Sequence, residues 1–443
     1  MSAMGDMNRD IVADTQVVVL MGGLGTRLGL KDTPKAMADI NGYPFFDYQL
    51  KLLKRWRFHK FLFLVGYQAE SIENYYGNGS KWQVDIQYSY DGKKQLGTGG
   101  ALRNATEKLE EDFLLIYGDS FMDVDYQEAV YRYWLEKSKG KLALMAILEN
   151  ENRYDKSNVI YQNGEIVLYN KGSFSNEMRY IDYGISMLSK DILMNENEKE
   201  RFDLAEILTS LSKLGKLSGQ VVTKRFYEIG SPASMQEFCE YAEKRFANKK
   251  RAAFFDRDGV INELVYNDDI EQVDSPFSKK NFIYKPDVIK TLLSIQRMGY
   301  LIFIVTNQPA AAKGKVALTS LYDLNIWMIQ DLKSKGIFVE AVNMCPHHPV
   351  GSRRSNAPFL IRKCKCRKPE AGLITDLLAV YHIDHENSYM IGDSYTDIIA
   401  GNKAGLKTIF IGEMKCDVCQ RLQDYHPNNI IRNINELENI MGE

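Results

Sequence analysis

Two carboxylates one residue apart, Asp256 and Asp258, close a short apolar run and precede Gly259. Once the chain turns, such a pair can divide its work. One oxygen attacks phosphorus, and the other carboxylate gives a proton to the leaving oxygen. An Asp-rich turn alone looks the same. Thr306-Asn307 follows a second apolar run, Lys368-Pro369 comes later, and Gly392-Asp393 ends a third run. A hydroxyl, an ammonium and a further carboxylate are the groups that a phosphoryl group and its cation need. In the first half, Gly22-Gly23-Leu24-Gly25-Thr26-Arg27 follows an apolar run and precedes Pro34-Lys35. Glycine N–H groups can cradle a triphosphate. Arg27 and Lys35 can neutralise the charge that builds on a phosphorus under attack. The spacing is neither that of the P-loop nor that of the dinucleotide fingerprint. Glycines alone could mark only a turn that needs positive φ. Asp119, in Tyr117-Gly118-Asp119-Ser120, suits a Mg²⁺ ion held by one or two acids and substrate phosphates.

The cysteines add a second chemistry. Six in 443 residues do not make a disulfide scaffold. Cys345-x-His347 and Cys364-x-Cys366 are separated by sixteen residues. Four N/S ligands suit a closed tetrahedral structural Zn²⁺ site, with His348 competing against His347. One tightly held zinc per chain is expected. Cys416-x-x-Cys419 has no second pair and reads as a surface feature. Basic residues crowd the stretch from Arg353 to Lys368. Pinned by a metal, that loop could hold the second phosphate of a bisphosphate. Nucleic acid is the weaker reading, because no aromatic platform interleaves with the charges.

These residues need strands to present them. Residues 17–21 form a short β-branched run before glycines, which predicts a buried parallel strand. Helical stretches at 47–56 and 99–109 alternate with strands at 61–65, 86–90 and 113–117. A charged helix at 235–248 follows. The alternation then restarts: strands at 252–255, 301–305, 389–391 and 408–411, with helices at 286–298 and 396–404. The glycine run from Gly22, Asp119, Asp256 with Asp258, Thr306-Asn307 and Asp393 sit at strand ends, where open α/β sheets bind ligands. The fold class is therefore α/β, two doubly wound domains. The boundaries are 1–245, a linker at 246–250, and 251–443.

Composition sets limits. Hydrophobic residues make up 45% and charged residues 26%, with a formal net charge of −2. That excludes a disordered chain and gives no global attraction to nucleic acid or an anionic membrane. No apolar run approaches the roughly 20 residues that span a bilayer, and residues 1–10 carry no apolar leader core. A cytoplasmic protein acting on small molecules is expected. Oligomeric state is not readable.

The first half resembles the sugar-1-phosphate nucleotidyltransferases, on residues 22–28 with Pro34-Lys35. The resemblance implies a Rossmann-like fold, with nucleoside triphosphate on Gly22, Gly23, Gly25, Thr26 and Arg27. It implies Mg²⁺ on Asp119 and base and ribose along Gln95, Gly97 and Thr98. Lys171 would meet the sugar phosphate, and Tyr183-Gly184 would line the sugar side. The second metal carboxylate of that family maps to Glu228, one methylene longer than the usual aspartate. The segment at 96–100 is similar to that of heptose 1-phosphate guanylyltransferases, which makes GTP the expected donor.

The second half resembles haloacid-dehalogenase (HAD) phosphatases of the histidinol-phosphatase-like branch, and most of all the heptose 1,7-bisphosphate 7-phosphatases. The stretches that carry this are 255–262, 305–308, 345–349 and 364–369. The resemblance implies a HAD-like fold with a zinc-bound loop. Asp256 would be the nucleophile, Asp258 the acid/base, and Thr306 and Lys368 the phosphoryl clamps. Mg²⁺ would sit on Asp256, Asp258 and Asp393, and Asn307 and Arg367 would touch substrate. Pro309-Ala310-Ala311 departs from the family's Ser-Gly step. Together the halves imply GDP-heptose synthesis in two steps. Other readings are another sugar or nucleotide beside a histidinol-phosphatase-like enzyme, and a regulatory scaffold of degenerate domains.

Overall fold

The computed structural model describes residues 10–442 apart from 23–32, 93–95, 163 and 195–200. These fall into two compact units, 10–244 and 245–442. Each is described by itself.

In the first unit, nine strands form one sheet. They are β1 (Gln16–Leu20), β2 (Lys60–Val65), β3 (Asp85–Tyr90), β4 (Asp112–Tyr117), β6 (Ala143–Glu149), β7 (Val159–Gln162), β8 (Glu165–Tyr169), β9 (Tyr180–Ser189) and β10 (Leu217–Val222). The order is β3-β2-β1-β4-β9-β6-β10-β8-β7. Two short strands, β5 (Ser120–Phe121) and β11 (Tyr227–Glu228), pair beside it. Val17, Val18 and Val19 are fully buried, as a strand covered on both faces must be. Chain order runs from β1 outward to β3 and then jumps to β4 on the other side. The crevice between β1 and β4 is therefore the topological switch point. The sheet is not wholly parallel, however. β9 runs antiparallel to both β4 and β6, with a register break near Gly184 at φ +87°.

Helices α1 (Phe45–Arg55), α2 (Gly97–Asn104), α3 (Tyr126–Lys137), α4 (Leu204–Lys213) and α5 (Pro232–Phe246) cover the sheet. α2 stops five residues before the expected 109. Asn104 bonds Tyr90 O at 3.0 Å and the Thr106 hydroxyl bonds Arg103 O, local bonds that end a helix. α5 continues to Phe246, the first residue of the expected linker.

The second unit holds a six-stranded parallel sheet, ordered β16-β15-β12-β17-β18-β19. Its strands are β12 (Ala252–Phe255), β15 (Leu301–Asn307), β16 (Val339–Cys345), β17 (Tyr389–Gly392), β18 (Lys407–Ile411) and β19 (Asn429–Ile431). A hairpin, β13 (Val265–Asn267) with β14 (Gln272–Asp274), follows the central strand. Helices α6 (Val288–Arg297), α7 (Leu318–Ser334), α8 (Gly372–Tyr381) and α9 (Tyr395–Lys403) pack on the sheet. β12 is again the switch strand, with β15 and β17 on either side. Thr306 and Asn307 lie within β15 rather than beyond it. Among the described residues, no helix is long and apolar enough to cross a membrane.

Candidate active sites

In the first unit, a cavity of about 330 Å³ opens at the ends of β1 to β4. Gly22, Lys35, Gly97, Thr98 and Asp119 line it, as the sequence suggests. Gly23, Gly25, Thr26, Arg27 and Gln95 lie outside the described residues. The Lys35 ammonium donates to Asp119 Oδ2 at 2.7 Å. The residue expected to hold phosphate and the one expected to hold a cation are thus each other's counter-ion. Glu228 stands opposite Ser120 on the β5–β11 ladder, and Ile229 N donates to Asp119 O at 3.1 Å. Two acids on adjacent rungs fit a divalent cation bridging to phosphate.

Three sequence expectations shift here. Gly97, at φ +75°, and Gly99 allow close approach of another segment. A Cβ on Gly97 would stand 2.5 Å from Phe202 O, and one on Gly99 would stand 2.3 Å from the Phe202 ring. The Thr98 hydroxyl accepts from Leu204 N at 2.9 Å, tying α2 to the start of α4. Both residues line the cavity, but part of their chemistry is structural. Tyr183 is buried, its hydroxyl without a partner among the described residues and its ring 5.5 Å from Phe226. Gly184 N donates to Asp182 Oδ1 at 2.9 Å, and Lys171 lies 3.7 Å from Asp182 Oδ2. Asp182 is the anchor that sequence reasoning missed. Asp91, Arg201 and Asp203 also line the cavity unannounced. The buried Tyr117 phenol is held neutral by burial, then by the nearby charges of Asp182, Asp119, Asp203 and Glu228. One wall of the cavity is therefore acidic.

In the second unit, Asp256 follows β12, Asp393 follows β17, and Asp397 sits in the first turn of α9. Ligand oxygens of these three lie within 4.8 Å of one another. Gly259, at φ +85°, makes the gathering possible. A Cβ there would come within 1.9 Å of Asp393 Oδ2, so the D-x-D-G glycine is required twice. Lys368 is 1% exposed, and its Nζ meets Asp256 Oδ1 at 2.9 Å, Asp397 Oδ1 at 2.6 Å and Val305 O at 2.7 Å. Burial works against that charge, and the two carboxylates overcome it, raising the lysine. Burial pushes Asp256 and Asp397 up while Lys368 draws them down. Burial, then the Asp256 charge, pushes Asp393 up to about 6. A site that disfavours three adjacent anions fits a divalent cation.

Of the three acids expected to hold Mg²⁺, Asp256 and Asp393 come together, and the third carboxylate gathered with them is Asp397. The Asp258 oxygens accept from Arg257 at 3.0 Å, Asn262 at 2.9 Å, Ser275 at 2.9 Å and Gln308. The donors orient this carboxylate and leave it close enough to Asp256 for its charge to push that acid up. Arg257 is fully buried and also donates to Asn325 at 2.9 Å. Asn307, expected to touch substrate, exchanges two hydrogen bonds of 3.0 Å with the Lys368 backbone. It positions the ammonium. Thr306 is buried, and its hydroxyl accepts from Gln308 at 2.9 Å, leaving its proton to donate. Asp397 had a signal in the sequence: it stands four residues beyond Asp393, in the first turn of α9.

The four soft ligands do converge. Cys366 Sγ lies 3.3 Å from Cys345 Sγ, Cys364 Sγ and His347 Nδ1, and Cys345 Sγ lies 3.6 Å from Cys364 Sγ and His347 Nδ1. A tetrahedron with Zn–S near 2.3 Å and Zn–N near 2.0 Å has edges of roughly 3.5–3.8 Å. Burial pushes the Cys345 thiol up, so a thiolate there needs a cation. These residues fit zinc. His348 is turned away, taking Val350 N at 3.1 Å on its Nδ1. Arg367 donates to His347 O at 3.3 Å. Lys313 was missed: its ammonium is lowered by burial and by the charges of Lys315 and Arg367.

The nucleotidyl transferase family model matches residues 16–244, and a HAD-hydrolase-like model matches 365–437. A D-glycero-alpha-D-manno-heptose 1-phosphate guanylyltransferase of Campylobacter jejuni is 32% identical over 225 residues, covering 50% of this chain and 98% of that protein. A D-glycero-alpha-D-manno-heptose-1,7-bisphosphate 7-phosphatase of Photorhabdus laumondii is 38% identical over 165 residues, covering 37% of this chain and 83% of that protein. A solved structure of HddC from Yersinia pseudotuberculosis, complexed with GMP-PN, is 28% identical with a TM-score of 0.43, covering 51% of this chain and 99% of that one.

Proposed function

The chain belongs to the nucleotidyl transferase family and to the HAD-like phosphatases, and on that premise we propose that it performs two consecutive steps of GDP-heptose synthesis in the cytoplasm. The division of labour follows the expected domains, 1–245 and 251–443 with a linker at 246–250. The second unit removes the 7-phosphate of a heptose 1,7-bisphosphate. Asp256 attacks phosphorus to form an aspartyl phosphate while Asp258 gives a proton to the departing sugar oxygen. Asp258 then takes a proton from the water that releases phosphate. Lys368 and the Thr306 hydroxyl neutralise charge on the transferring group. Arg367, with Lys313 near it, meets the phosphate that stays on the sugar. Asp256, Asp393 and Asp397 would hold a Mg²⁺ ion, which would supply further positive charge, and Cys345, His347, Cys364 and Cys366 would hold a zinc ion that pins the loop.

The first unit then couples heptose 1-phosphate to GTP. The sugar phosphate oxygen attacks the α-phosphorus in line, and pyrophosphate leaves. The nucleophile is already an anion, so orientation and charge carry the rate. Lys171 and Gly184 face the sugar phosphate, Lys35 and Arg27 the triphosphate, and Asp119 and Glu228 suit a Mg²⁺ ion.

The observation behind this reading is one device built twice. A lysine is paired to a carboxylate at a switch point in each unit, Lys35–Asp119 and Lys368–Asp256. The test supplies heptose 1,7-bisphosphate and GTP to the full chain and follows phosphate and pyrophosphate separately. Wild type is expected to release both. Asp256→Asn stops phosphate but still releases pyrophosphate from heptose 1-phosphate. Release of neither product by wild type would falsify the proposal and favour a scaffold.

A further inference from the structure

The nucleotide cavity holds a carboxylate that the reaction above does not use. Asp91 follows β3 at the outer edge of the sheet, with its N–H held by Val65 O at 2.9 Å. Its side chain turns back over two glycines. An ideal Cβ on Gly22 or on Gly66 would stand 3.6 Å from Asp91 Oδ2. Oδ1 is shut off from solvent, and among the described residues no donor reaches it. Burial alone pushes the acid up to about 6. A buried carboxylate oxygen without a donor costs stability.

Position says what could satisfy it. β3, β2, β1 and β4 stand side by side, so three strand spacings, roughly 14 Å, separate the Asp91 end of the cavity from the Asp119 end. A nucleotide laid with its phosphates at Lys35 and Asp119 brings its base toward Asp91. Two carboxylate oxygens match two adjacent N–H donors, and charge-assisted pairs of this kind are the strong ones. Guanine offers N1–H beside its N2 amino group. Adenine, cytosine and uracil each place an acceptor where one oxygen would lie.

We propose that Asp91 selects guanine: its carboxylate rotates from above the two glycines into the cavity and accepts N1–H and N2–H on its two oxygens. This deepens the nucleotidyl-transfer reading and rests on it. It also supplies from the molecule a reason for GTP as donor.

The test uses the full chain with heptose 1-phosphate and compares kcat/KM for GTP, ITP, XTP and ATP by pyrophosphate release. ITP lacks the 2-amino group, and loss of one charged hydrogen bond predicts a value about 10- to 100-fold below GTP. XTP carries a 2-carbonyl that faces the carboxylate and is expected to be poorer still. In Asp91→Asn, the amide oxygen still accepts N1–H while its N–H donates to that carbonyl. XTP then overtakes GTP. If Asp91→Asn instead lowers all four alike, the residue serves the ribose or the fold, and the inference is overturned. Equal use of GTP and ITP by wild type overturns it without any variant. A ranking led by ATP also overturns it, yet leaves nucleotidyl transfer standing. Pyrophosphate from none of the four overturns the nucleotidyl-transfer reading itself.

Discussion

The two lysine–carboxylate pairs are built to opposite specifications. Lys35 and Asp119 are 12% and 23% exposed, touching at 2.7 Å. Lys368 is 1% exposed, faces one carboxylate that is fully buried and another that is 14% exposed, and has its backbone clamped by Asn307. A pair near the surface is worth about 0–1 kcal/mol. A phosphate can therefore take Lys35, and a cation Asp119, at little cost. Breaking a buried pair by removing one partner costs about 3–5 kcal/mol, because an uncompensated charge is left inside. The nucleotide cavity is set to be rearranged by its ligands. The phosphatase site is arranged before substrate arrives, as electrostatic stabilisation of a transferring phosphoryl group requires.

The sharpest way to break that contrast is Lys368→Met. It is expected to lower phosphate release by at least about 10²–10³ and to cost the second unit about 3–5 kcal/mol of unfolding free energy. Urea titration monitored on the full chain, beside the phosphate assay, reads both. Lys35→Met is expected to lower pyrophosphate release by about the same 10²–10³, while stability moves by less than about 1 kcal/mol. Equal stability losses in the two variants would erase the distinction. An unchanged turnover in Lys35→Met would remove the lysine from the reaction.

A smaller effect separates the units through their metals. Cys366 lies two residues from Lys368, and Arg367 between them holds His347 O. Outer partners of this kind typically matter by about 10–100-fold. Chelation that strips zinc is therefore expected to lower phosphate release by about that factor and to leave pyrophosphate release from heptose 1-phosphate unchanged. Elemental analysis before and after chelation checks the premise. If both activities fall together, or if no zinc is present, the cluster does not serve the phosphatase alone.

The legible carboxylates of both sites share a cause. Asp256, Asp258 and Asp119 sit where apolar runs stop, and a strand end is visible in one dimension; Lys35 and Lys368 were legible from the proline beside each. Cys345, His347, Cys364 and Cys366 were legible because reactive types at close spacing have few structural explanations. The choice between His347 and His348 was not, since it depends on which ring faces inward. Asp397 was missed although it is four residues from Asp393, because an aspartate in a helix's first turn reads as ordinary capping. Asn307 was assigned to substrate because an amide after a strand suits one. Its position inside β15 also binds it to the Lys368 backbone, which the sequence did not show. Asp182, Asp203 and Asp91 could not be found at all, since each comes from a segment that only the sheet order brings to the cavity.

The least of the expected effects tests the odd carboxylate against the paired ones. Asp91 resists ionising when no nucleotide is bound, because burial lifts its acid to about 6 from an unfolded value near 3.9. Below about pH 4 it is protonated in both states and resembles asparagine. Between pH 4 and 6 the unfolded chain ionises first, so the unfolded state gains and the fold loses stability. Above about pH 7 the loss is complete and constant. Asp91→Asn has no such loss. Its Tm without nucleotide is expected to match wild type at pH 4, to rise above it through pH 6, and to stay above it by a fixed margin at pH 7–8. GTP should close the gap by stabilising wild type more than the variant. Thermal scans of both proteins across that range, with and without GTP, decide it. A gap that is the same at pH 4 and pH 8 would mean that Asp91 has a partner in the free protein, and that the nucleotide cavity is as fully arranged in advance as the phosphatase site.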